Sequence, residues 1–258
     1  MKNYEIKINS NMTCEIEKYL GSDTEVYIPS EIDGYKVTGI GRFAFDECSN
    51  LTNVTIPDGV RSIGESAFAY CKNLTNITIP ASVENIDTYA FAGCKNLTNI
   101  TIPASVRSMG WGVFACCSRL TSINVDKNNP VYHSAGNCMI ETESKTLALG
   151  CKNSVIPSDG SVTKIGDGAF YVYNKLTNII IPGAVTSIGD GAFYGCRNLT
   201  NMTILGAIAN IGESAFEGCD SLTEINFTGT KAQWESIEKG DDWDEDTGFY
   251  VVRCIDDE

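Results

Sequence analysis

One pattern of apolar and polar residues recurs along this chain with a period of 23 residues. An Ala-Phe or Val-Phe pair is followed by cysteine three residues after the phenylalanine, and by leucine three residues after that. A fixed period of this length predicts a stacked solenoid, in which each repeat buries its apolar face against its neighbours. The phenylalanines that define the period are Phe45, Phe68, Phe91, Phe114, Phe170, Phe193 and Phe216.

The first part of each repeat alternates between apolar and polar residues, as in the segment from Asn76 to Pro80. Alternation of this kind predicts a short strand with one buried face. We expect Ile77 and Ile79 to point inward and Asn76 and Thr78 to point outward. Pro80 cannot donate to a β-ladder, so it ends the strand.

The second part of the repeat places Cys94 four residues after Ala90 and three residues after Phe91. This spacing predicts one or two turns of helix with these side chains on the buried face. Stacked copies then give an α/β leucine-rich-repeat solenoid, with a parallel β-sheet on one face and short helical segments behind it. The phenylalanines are predicted to form its central spine.

The repeat also predicts how the chain is organised as one continuous domain. Residues 1–36 carry only part of the pattern and read as an N-terminal cap, and residues 37–228 form the solenoid. Residues 126–161 are an enlarged, divergent repeat, and residues 229–258 are an acidic C-terminal cap. End caps are needed because an exposed terminal core aggregates.

A β-hairpin is predicted inside the enlarged repeat. Cys138–Ile140 and Thr146–Leu149 are apolar runs on either side of a polar segment, Glu141–Lys145. Insertions in repeat proteins either serve binding or are tolerated loops, and the sequence leaves both possibilities open.

Composition narrows the possible partners. The net charge is −14, and the last 24 residues carry ten acids and two bases. No basic stripe is present, so nucleic acid is not an expected partner. No apolar run approaches the length of a membrane span, so we expect no membrane insertion. Residues 1–20 have no apolar signal-peptide core, which suits either a cytoplasmic protein or the mature form of an exported one.

Of the eleven cysteines, six share one repeat position and are expected to pack as small buried hydrophobic residues. One repeat position holds cysteine in six copies, and in-register stacking suits buried thiols better than disulfides. A disulfide between Cys138 and Cys151 across the predicted hairpin is left open. The ladder cysteines are Cys48, Cys71, Cys94, Cys117, Cys196 and Cys219.

The sequence predicts no enzyme, cofactor or metal site. His133 is the only histidine, and no nucleophile motif surrounds it. The run Asp242, Asp244 and Asp246 resembles the start of a calcium loop. An EF-hand needs glycine at position six and an acid at position twelve, where this chain has Thr247 and Arg253. A solvated acidic cap is therefore the preferred interpretation, with calcium as the alternative.

The outward strand positions are the candidate binding surface. They form an asparagine row and a threonine row on the exposed, concave face of the predicted sheet. Uncharged hydrogen-bonding groups of this kind either recognise a ligand or are solvated and satisfy one another. Ile180 interrupts the threonine row as an exposed apolar residue, and with Asn178 it is the first candidate for a binding hot spot. The candidate residues are Asn53, Thr55, Asn76, Thr78, Asn99, Thr101, Asn178, Ile180, Asn201 and Thr203.

The repeat unit resembles the BspA-type, or Treponema pallidum type, leucine-rich repeat. Its form here is Leu-x-x-Ile-x-Ile-Pro-x-x-Val-x-x-Ile-Gly-x-x-Ala-Phe-x-x-Cys-x-x-Leu, and it covers almost the whole chain. Lys127–Tyr132 before the hairpin and Phe227–Trp234 before the acidic end also resemble features of that family. The resemblance implies a non-enzymatic microbial protein, often at the cell surface, that adheres to host or cell-surface proteins.

Three functions are carried forward from the sequence. The first is a bacterial protein-binding or adhesion module, whose partner is an extracellular-matrix or cell-surface protein. The second is an intracellular protein-interaction scaffold that uses the same surface. The third is a glycan-binding module, which the absence of aromatic residues from both polar rows disfavours.

Overall fold

Each 23-residue repeat folds as one coil of a parallel β-solenoid with a leucine-rich-repeat fold. A coil contains a front strand of three or four residues and a corner strand of two residues, joined by turns. In the computed structural model, which describes residues 3–257, the coils fall into two units that divide between Val131 and Tyr132.

The first unit contains twelve strands. They are β1 (Tyr4–Ile8), β2 (Thr13–Tyr19), β3 (Glu25–Tyr27), β4 (Glu31–Ile32), β5 (Tyr35–Ile40), β6 (Asn53–Thr55), β7 (Ser62–Ile63), β8 (Asn76–Thr78), β9 (Asn85–Ile86), β10 (Asn99–Ile102), β11 (Ser108–Met109) and β12 (Ser122–Val125).

The second unit contains eleven strands and one helix. They are β13 (Tyr132–Ala135), β14 (Cys138–Glu141), β15 (Thr146–Leu149), β16 (Lys164–Ile165), β17 (Asn178–Ile181), β18 (Ser187–Ile188), β19 (Asn201–Ile204), β20 (Asn210–Ile211), β21 (Glu224–Phe227), α1 (Lys231–Glu235), β22 (Glu238–Lys239) and β23 (Val251–Arg253).

Both kinds of strand pair with their counterparts in neighbouring coils, in parallel. Front strands form the sheets β3-β6-β8 and β10-β12 in the first unit and β17-β19-β21-β23 in the second. Corner strands belong to two further sheets, with the orders β1-β2-β5-β7-β9-β11 and β13-β14-β15-β16-β18-β20-β22. Strand β4 also pairs with β5. The register keeps equivalent residues side by side, as Asn53 beside Asn76 shows. A side chain at one repeat position therefore contacts its own copies.

The phenylalanines form the predicted spine within each unit. All seven are essentially inaccessible to solvent. Phe91 lies between Phe68 and Phe114, with ring centroids 5.5 and 5.4 Å away and the rings nearly parallel. Offset stacked pairs at this separation add about 0.5–1.5 kcal/mol each beyond the burial of apolar surface.

Aromatic residues also cover one end of each spine. In the first unit, Tyr19 stacks on Phe45 with ring centroids 5.1 Å apart. In the second, Trp243 meets the edge of Phe216 at 5.8 Å and also contacts Trp234. The terminal segments therefore shield the last buried ring in each unit. The prediction that the caps and the solenoid form one continuous domain stays a prediction.

The predicted helical segments behind the sheet are wrong. Ala90, Phe91 and Cys94 lie in consecutive turns, and alternate backbone groups bond in different directions. The N–H of Ala90 donates to the carbonyl of Asp87 in its own coil, three residues back, at 3.2 Å. The N–H of Phe91 donates instead to Val113 of the next coil, at 2.9 Å. Because alternate donors bond to another coil, the i→i−4 ladder of an α-helix cannot form.

Backbone conformation reinforces this result. Tyr89 and Gly93 flank the turn with φ angles of 57° and 72°, which no right-handed helix accepts. Within residues 3–257 the only helix is α1, in the C-terminal segment, and a five-residue helix falls far short of what a bilayer crossing requires.

The hairpin predicted in the enlarged repeat is present. Strand β14 pairs antiparallel with β15, and on its other side it pairs antiparallel with β13. Strand β15 then pairs in parallel with β16, so the hairpin is continuous with the corner strands of the second unit. The extra residues of this repeat are therefore folded against the solenoid core.

Five of the six ladder cysteines are buried and hydrogen-bonded to the preceding coil, whereas Cys48, in the first coil of the ladder, is half-buried. Cys94 Sγ donates to the carbonyl of Phe68 at 3.2 Å, and Cys71, Cys117, Cys196 and Cys219 make the equivalent bond. Burial raises the pKa of the Cys219 thiol to about 12, and it raises the pKa of Cys94 as well. Since the thiolate is the nucleophile, these side chains are unreactive at neutral pH.

The open question about Cys138 and Cys151 is resolved in favour of thiols. Both cysteines are free and buried. Cys138 Sγ lies 3.6 Å from the carbonyl oxygen of Gly136, and Cys151 Sγ lies 3.4 Å from that of Asn137.

We expect Phe91→Ala to lower the free energy of unfolding by about 3–5 kcal/mol, because it opens a cavity in the middle of the spine. Urea denaturation followed by circular dichroism measures this change. Phe43→Ala is the matched control, since Phe43 is 45% exposed, and it should cost less than about 1 kcal/mol. Equal losses for the two variants would contradict the spine.

We expect alkylation of the native protein at pH 8 to modify the half-buried Cys48, Cys116 and Cys254 well before the buried ladder cysteines. Burial both blocks access to the ladder thiols and raises their pKa, so little thiolate forms. Mass spectrometry of timed iodoacetamide reactions gives the rate at each site, and the same reaction in denaturant is the control. Rapid native labelling of Cys94 would show that the ladder is open to solvent.

Candidate functional site

The predicted binding residues lie on the front strands, divided between the two units. Asn53, Asn76 and Asn99 on β6, β8 and β10 belong to the first unit, as do Thr55, Thr78 and Thr101. Asn178 and Ile180 on β17 belong to the second unit, next to Asn201 and Thr203 on β19. Their side chains alternate with buried apolar residues along each strand, so they face outward.

The asparagines of the row are partly engaged with their neighbours. Asn201 Nδ2 lies 3.4 Å from Asn178 Oδ1, so the row is linked from coil to coil in the second unit. Asn178 Nδ2 also donates to Thr177 Oγ1 at 3.1 Å, and Asn201 Nδ2 donates to Thr200 Oγ1 at 3.2 Å. These bonds hold the amide groups in place while leaving part of their hydrogen-bonding capacity to solvent or a ligand.

A second line of threonines, which the sequence reasoning missed, directly precedes the asparagine row in the sequence of each coil. Thr200 Oγ1 donates to the carbonyl of Thr177 at 3.0 Å, and Thr223 Oγ1 donates to that of Thr200 at the same distance. Thr75 and Thr121 make the equivalent bond in the first unit. The signal was present in the sequence, because threonine recurs directly after the leucine of the repeat.

A groove of about 460 Å³ lies in the second unit around Ile180. Its apolar floor includes Val155, Ile180 and Leu205, which are 71%, 57% and 47% exposed. Asn178 and Ser158 also line it. The groove therefore combines a contiguous apolar floor with polar groups at its margin.

Ile180 was predicted as an exposed apolar residue, but Val155 and Leu205 were not included in the candidate site. Val155 stands where the repeat has threonine, directly before Ile156-Pro157. Leu205 stands where the repeat has proline, directly after Ile204. Each departs from the repeat pattern and is exposed in this chain, and that departure is the signal that the sequence reasoning overlooked.

The hairpin of the enlarged repeat fixes one wall of this groove. The N–H of Val155 donates to the carbonyl of Gly136, in the turn between β13 and β14, at 2.8 Å. Gly136 has a φ of 57°, and a Cβ there would overlap the carbonyl oxygen of Val155. A glycine is thus required for this close approach. The insertion positions the segment that carries Val155.

The rows end in an ion pair in the second unit. Glu224 on β21 is beside Asn201, and Arg253 on β23 lies beside Asn226. Arg253 Nε is 3.3 Å from Glu224 Oε2. Hydrogen bonds from Asn226 and Arg253 hold the pKa of Glu224 below its ordinary value. The two charges compensate each other at this end of the second unit's front sheet.

The acidic C-terminal segment is engaged in contacts of its own. Asp244 Oδ2 accepts a hydrogen bond from the Tyr250 hydroxyl at 2.5 Å. Repulsion from Asp242 raises the pKa of Glu245, as expected for crowded carboxylates. Lys239 Nζ lies 5.1 Å from the ring centroid of Trp234. Within residues 3–257 no cluster of three or more histidine, cysteine, aspartate or glutamate side chains is arranged to hold a metal ion.

His133 lies on β13, which is not one of the front strands that carry the asparagine and threonine rows. Its Nδ1 is 2.9 Å from Thr142 Oγ1, and both side chains are on the hairpin. This contact links β13 to the turn that follows β14.

Comparison with known proteins identifies the repeat. Residues 24–138 and 148–239 match the family model for the BspA type leucine rich repeat region, in six copies. No curated protein matches the chain in sequence.

Solved structures with the same fold come from several bacteria. The Treponema pallidum leucine-rich-repeat protein TpLRR aligns with 96% of this chain and 97% of its own, at 28% identity and a TM-score of 0.56. The pneumococcal vaccine antigen PcpA aligns with 98% of this chain and 87% of its own, at 16% identity and a TM-score of 0.59. A leucine-rich repeat protein of Eubacterium ventriosum aligns with 98% of this chain and 84% of its own, at 20% identity and a TM-score of 0.52. The last two similarities concern the fold alone.

Proposed function

This chain belongs to the BspA-type leucine-rich-repeat family, and on that premise we propose that it is a non-enzymatic adhesion module. It binds an extracellular-matrix or cell-surface protein through the outward residues of its front strands. The family has a repeat fold of the protein-interaction and adhesion type, and the repeats match most of this chain. The strongest contact is assigned to the groove formed by Val155, Ile180 and Leu205.

The exposed apolar groove is the observation that carries this proposal. Three large apolar side chains line one groove with a volume of about 460 Å³. The equivalent positions in regular coils hold threonine or proline. A soluble protein gains nothing from exposing adjacent apolar side chains, so such patches mark binding surfaces. Burying one side chain of this size in an interface contributes about 1.5–3 kcal/mol.

The surroundings of the groove suit a protein partner. Asn178, Asn201 and Thr203 provide neutral donors and acceptors next to the apolar floor. An apolar centre surrounded by polar groups is the usual composition of a protein–protein interface. Asparagine and threonine match the hydrogen-bonding groups of a polypeptide backbone, so they can bind a partner without requiring opposite charges.

The strand register makes the groove and the rows one surface in the second unit. Ile180 is beside Thr203, and Asn178 is beside Asn201, in adjacent parallel strands. A partner segment lying across β17 and β19 therefore contacts the apolar floor and both polar rows together. The module then acts by presenting a preformed surface, which keeps the entropic cost of binding low.

We expect Ile180→Asp to weaken binding to an extracellular-matrix protein by about tenfold or more, because it places a charge in the apolar groove. Biosensor measurements against a panel of purified matrix proteins, with the wild-type chain as reference, give the affinities. Ile255→Asp is the matched control, since Ile255 is 68% exposed and lies outside the groove. Its affinity should equal that of the wild type.

Two results would overturn the proposal. The first is binding to matrix proteins that is unaffected by Ile180→Asp. The second is a complete lack of binding to matrix proteins together with selective binding on a glycan array, which would favour the glycan-binding alternative. Surface labelling of intact cells separates the adhesion module from the intracellular scaffold, because only a surface protein is labelled.

We expect the affinity to fall by less than about threefold between low and moderate salt, because a neutral face makes few charge contacts with its partner. Repeating the biosensor series at several sodium chloride concentrations measures this dependence. A steep loss of affinity would instead assign binding to the acidic C-terminal segment.

A further inference from the structure

Strand β1 is the open edge of the seven-stranded sheet in the first unit. It pairs antiparallel with β2 and has no strand on its other side within residues 3–257. An edge strand presents a row of backbone N–H and C=O groups that are ready to pair with another strand. Ile8 at its end is 55% exposed, and Tyr4 and Ile6 are half-buried.

The register shows which backbone groups of β1 point outward. The N–H of Asn9 donates to Thr13, and the carbonyl of Asn3 accepts from Leu20, both at 2.8 Å. In an antiparallel pair, alternate residues bond to the partner strand, so Asn3, Glu5, Lys7 and Asn9 face β2. The irregularity in this pair is an extra residue on β2, which leaves the alternation on β1 intact.

The backbone groups of Tyr4, Ile6 and Ile8 therefore point away from the sheet. The same three residues carry the apolar side chains of the strand, and Tyr4 contacts Tyr19 at the end of the aromatic spine, with ring centroids 5.5 Å apart. A strand added to this edge would gain hydrogen bonds and cover apolar surface at the same time.

The charges of β1 complement those of a second copy of β1. Glu5 and Lys7 are exposed on the opposite face of the strand from Tyr4, Ile6 and Ile8. When two copies pair antiparallel about Ile6, each Glu5 lies directly opposite the other copy's Lys7. In parallel pairing in register, Glu5 would lie opposite Glu5 and Lys7 opposite Lys7, which is repulsive.

We propose that β1 is a homodimerisation strand, which pairs antiparallel with β1 of a second copy around a two-fold axis at Ile6. Ile6 then faces Ile6, and Tyr4 faces Ile8, and each of these pairs exchanges both of its hydrogen bonds. The Glu5–Lys7 pairs are the closer, non-hydrogen-bonded pairs, where side-chain interactions are strongest. The contact is isologous, as a two-fold dimer requires.

The contact involves one short strand from each copy, so the dimer is weak and depends on protein concentration. It uses residues of the first unit, whereas the groove at Ile180 is formed by residues of the second. Self-association would double the number of partner-binding surfaces in one particle, and two sites bind a repetitive target more tightly than one.

Sedimentation equilibrium of the 258-residue chain, from micromolar to submillimolar concentrations, tests this proposal. We expect a monomer–dimer equilibrium for the wild type, and a dissociation constant at least about tenfold higher for Ile6→Pro. Proline at this position removes the outward N–H and no bond to β2. Circular dichroism and the unfolding temperature verify that the variant is folded.

Charge reversal supplies a second test that does not depend on proline being tolerated. Glu5→Lys and Lys7→Glu should each raise the dissociation constant several-fold, because each places like charges opposite each other. The double variant restores opposite charges and should return the constant to near the wild-type value. Asp58→Lys is the control, since Asp58 is exposed outside β1.

A wild-type chain that stays monomeric throughout the concentration range would overturn the proposal. So would a dimer whose dissociation constant is the same for the wild type, the single reversals and Ile6→Pro, because such a dimer uses another surface.

Discussion

The stacking of one phenylalanine ring per coil is the constraint on which the rest of the structure depends. Neighbouring rings are separated by 4.9–5.5 Å, close to the spacing of adjacent β-strands. The rings and the front strands can therefore advance together from coil to coil. The cysteine, leucine and isoleucine positions follow the same translation, so each buried side chain contacts its own copies. Both units end this stack with aromatic residues, at Tyr19 and at Trp243.

This repeating interior leaves the exposed positions free to vary. The features with a proposed function lie at exposed positions where the sequence departs from the repeat. Val155, Ile180 and Leu205 replace threonine or proline, while their neighbours Ile156, Ile179 and Ile204 stay buried. The groove they form lies next to the enlarged repeat, whose hairpin turn at Gly136 holds Val155 in place. The insertion and the apolar surface are thus parts of one local structure in the second unit.

The open edge at β1 has a different origin. A stacked sheet must end, and its last strand has backbone groups with no strand to pair with. Lysine and glutamate on such an edge usually prevent association, but here their order makes two antiparallel copies complementary. The edge lies in the first unit and the groove in the second.

The sequence by itself determined the period, the identity of the buried residues, the outward asparagine and threonine rows, and the hairpin at Cys138–Leu149. These features follow from the residue pattern, because equivalent positions in successive coils are buried or exposed alike. The short helical segments around Phe91 were predicted wrongly, since local spacing was compatible with a helix but alternate N–H groups bond to the next coil. Only the tertiary structure brought Val155, Ile180 and Leu205 together and showed which groups of β1 face outward. Distances between coils and the register at an edge depend on contacts between residues far apart in the chain, which no local pattern specifies.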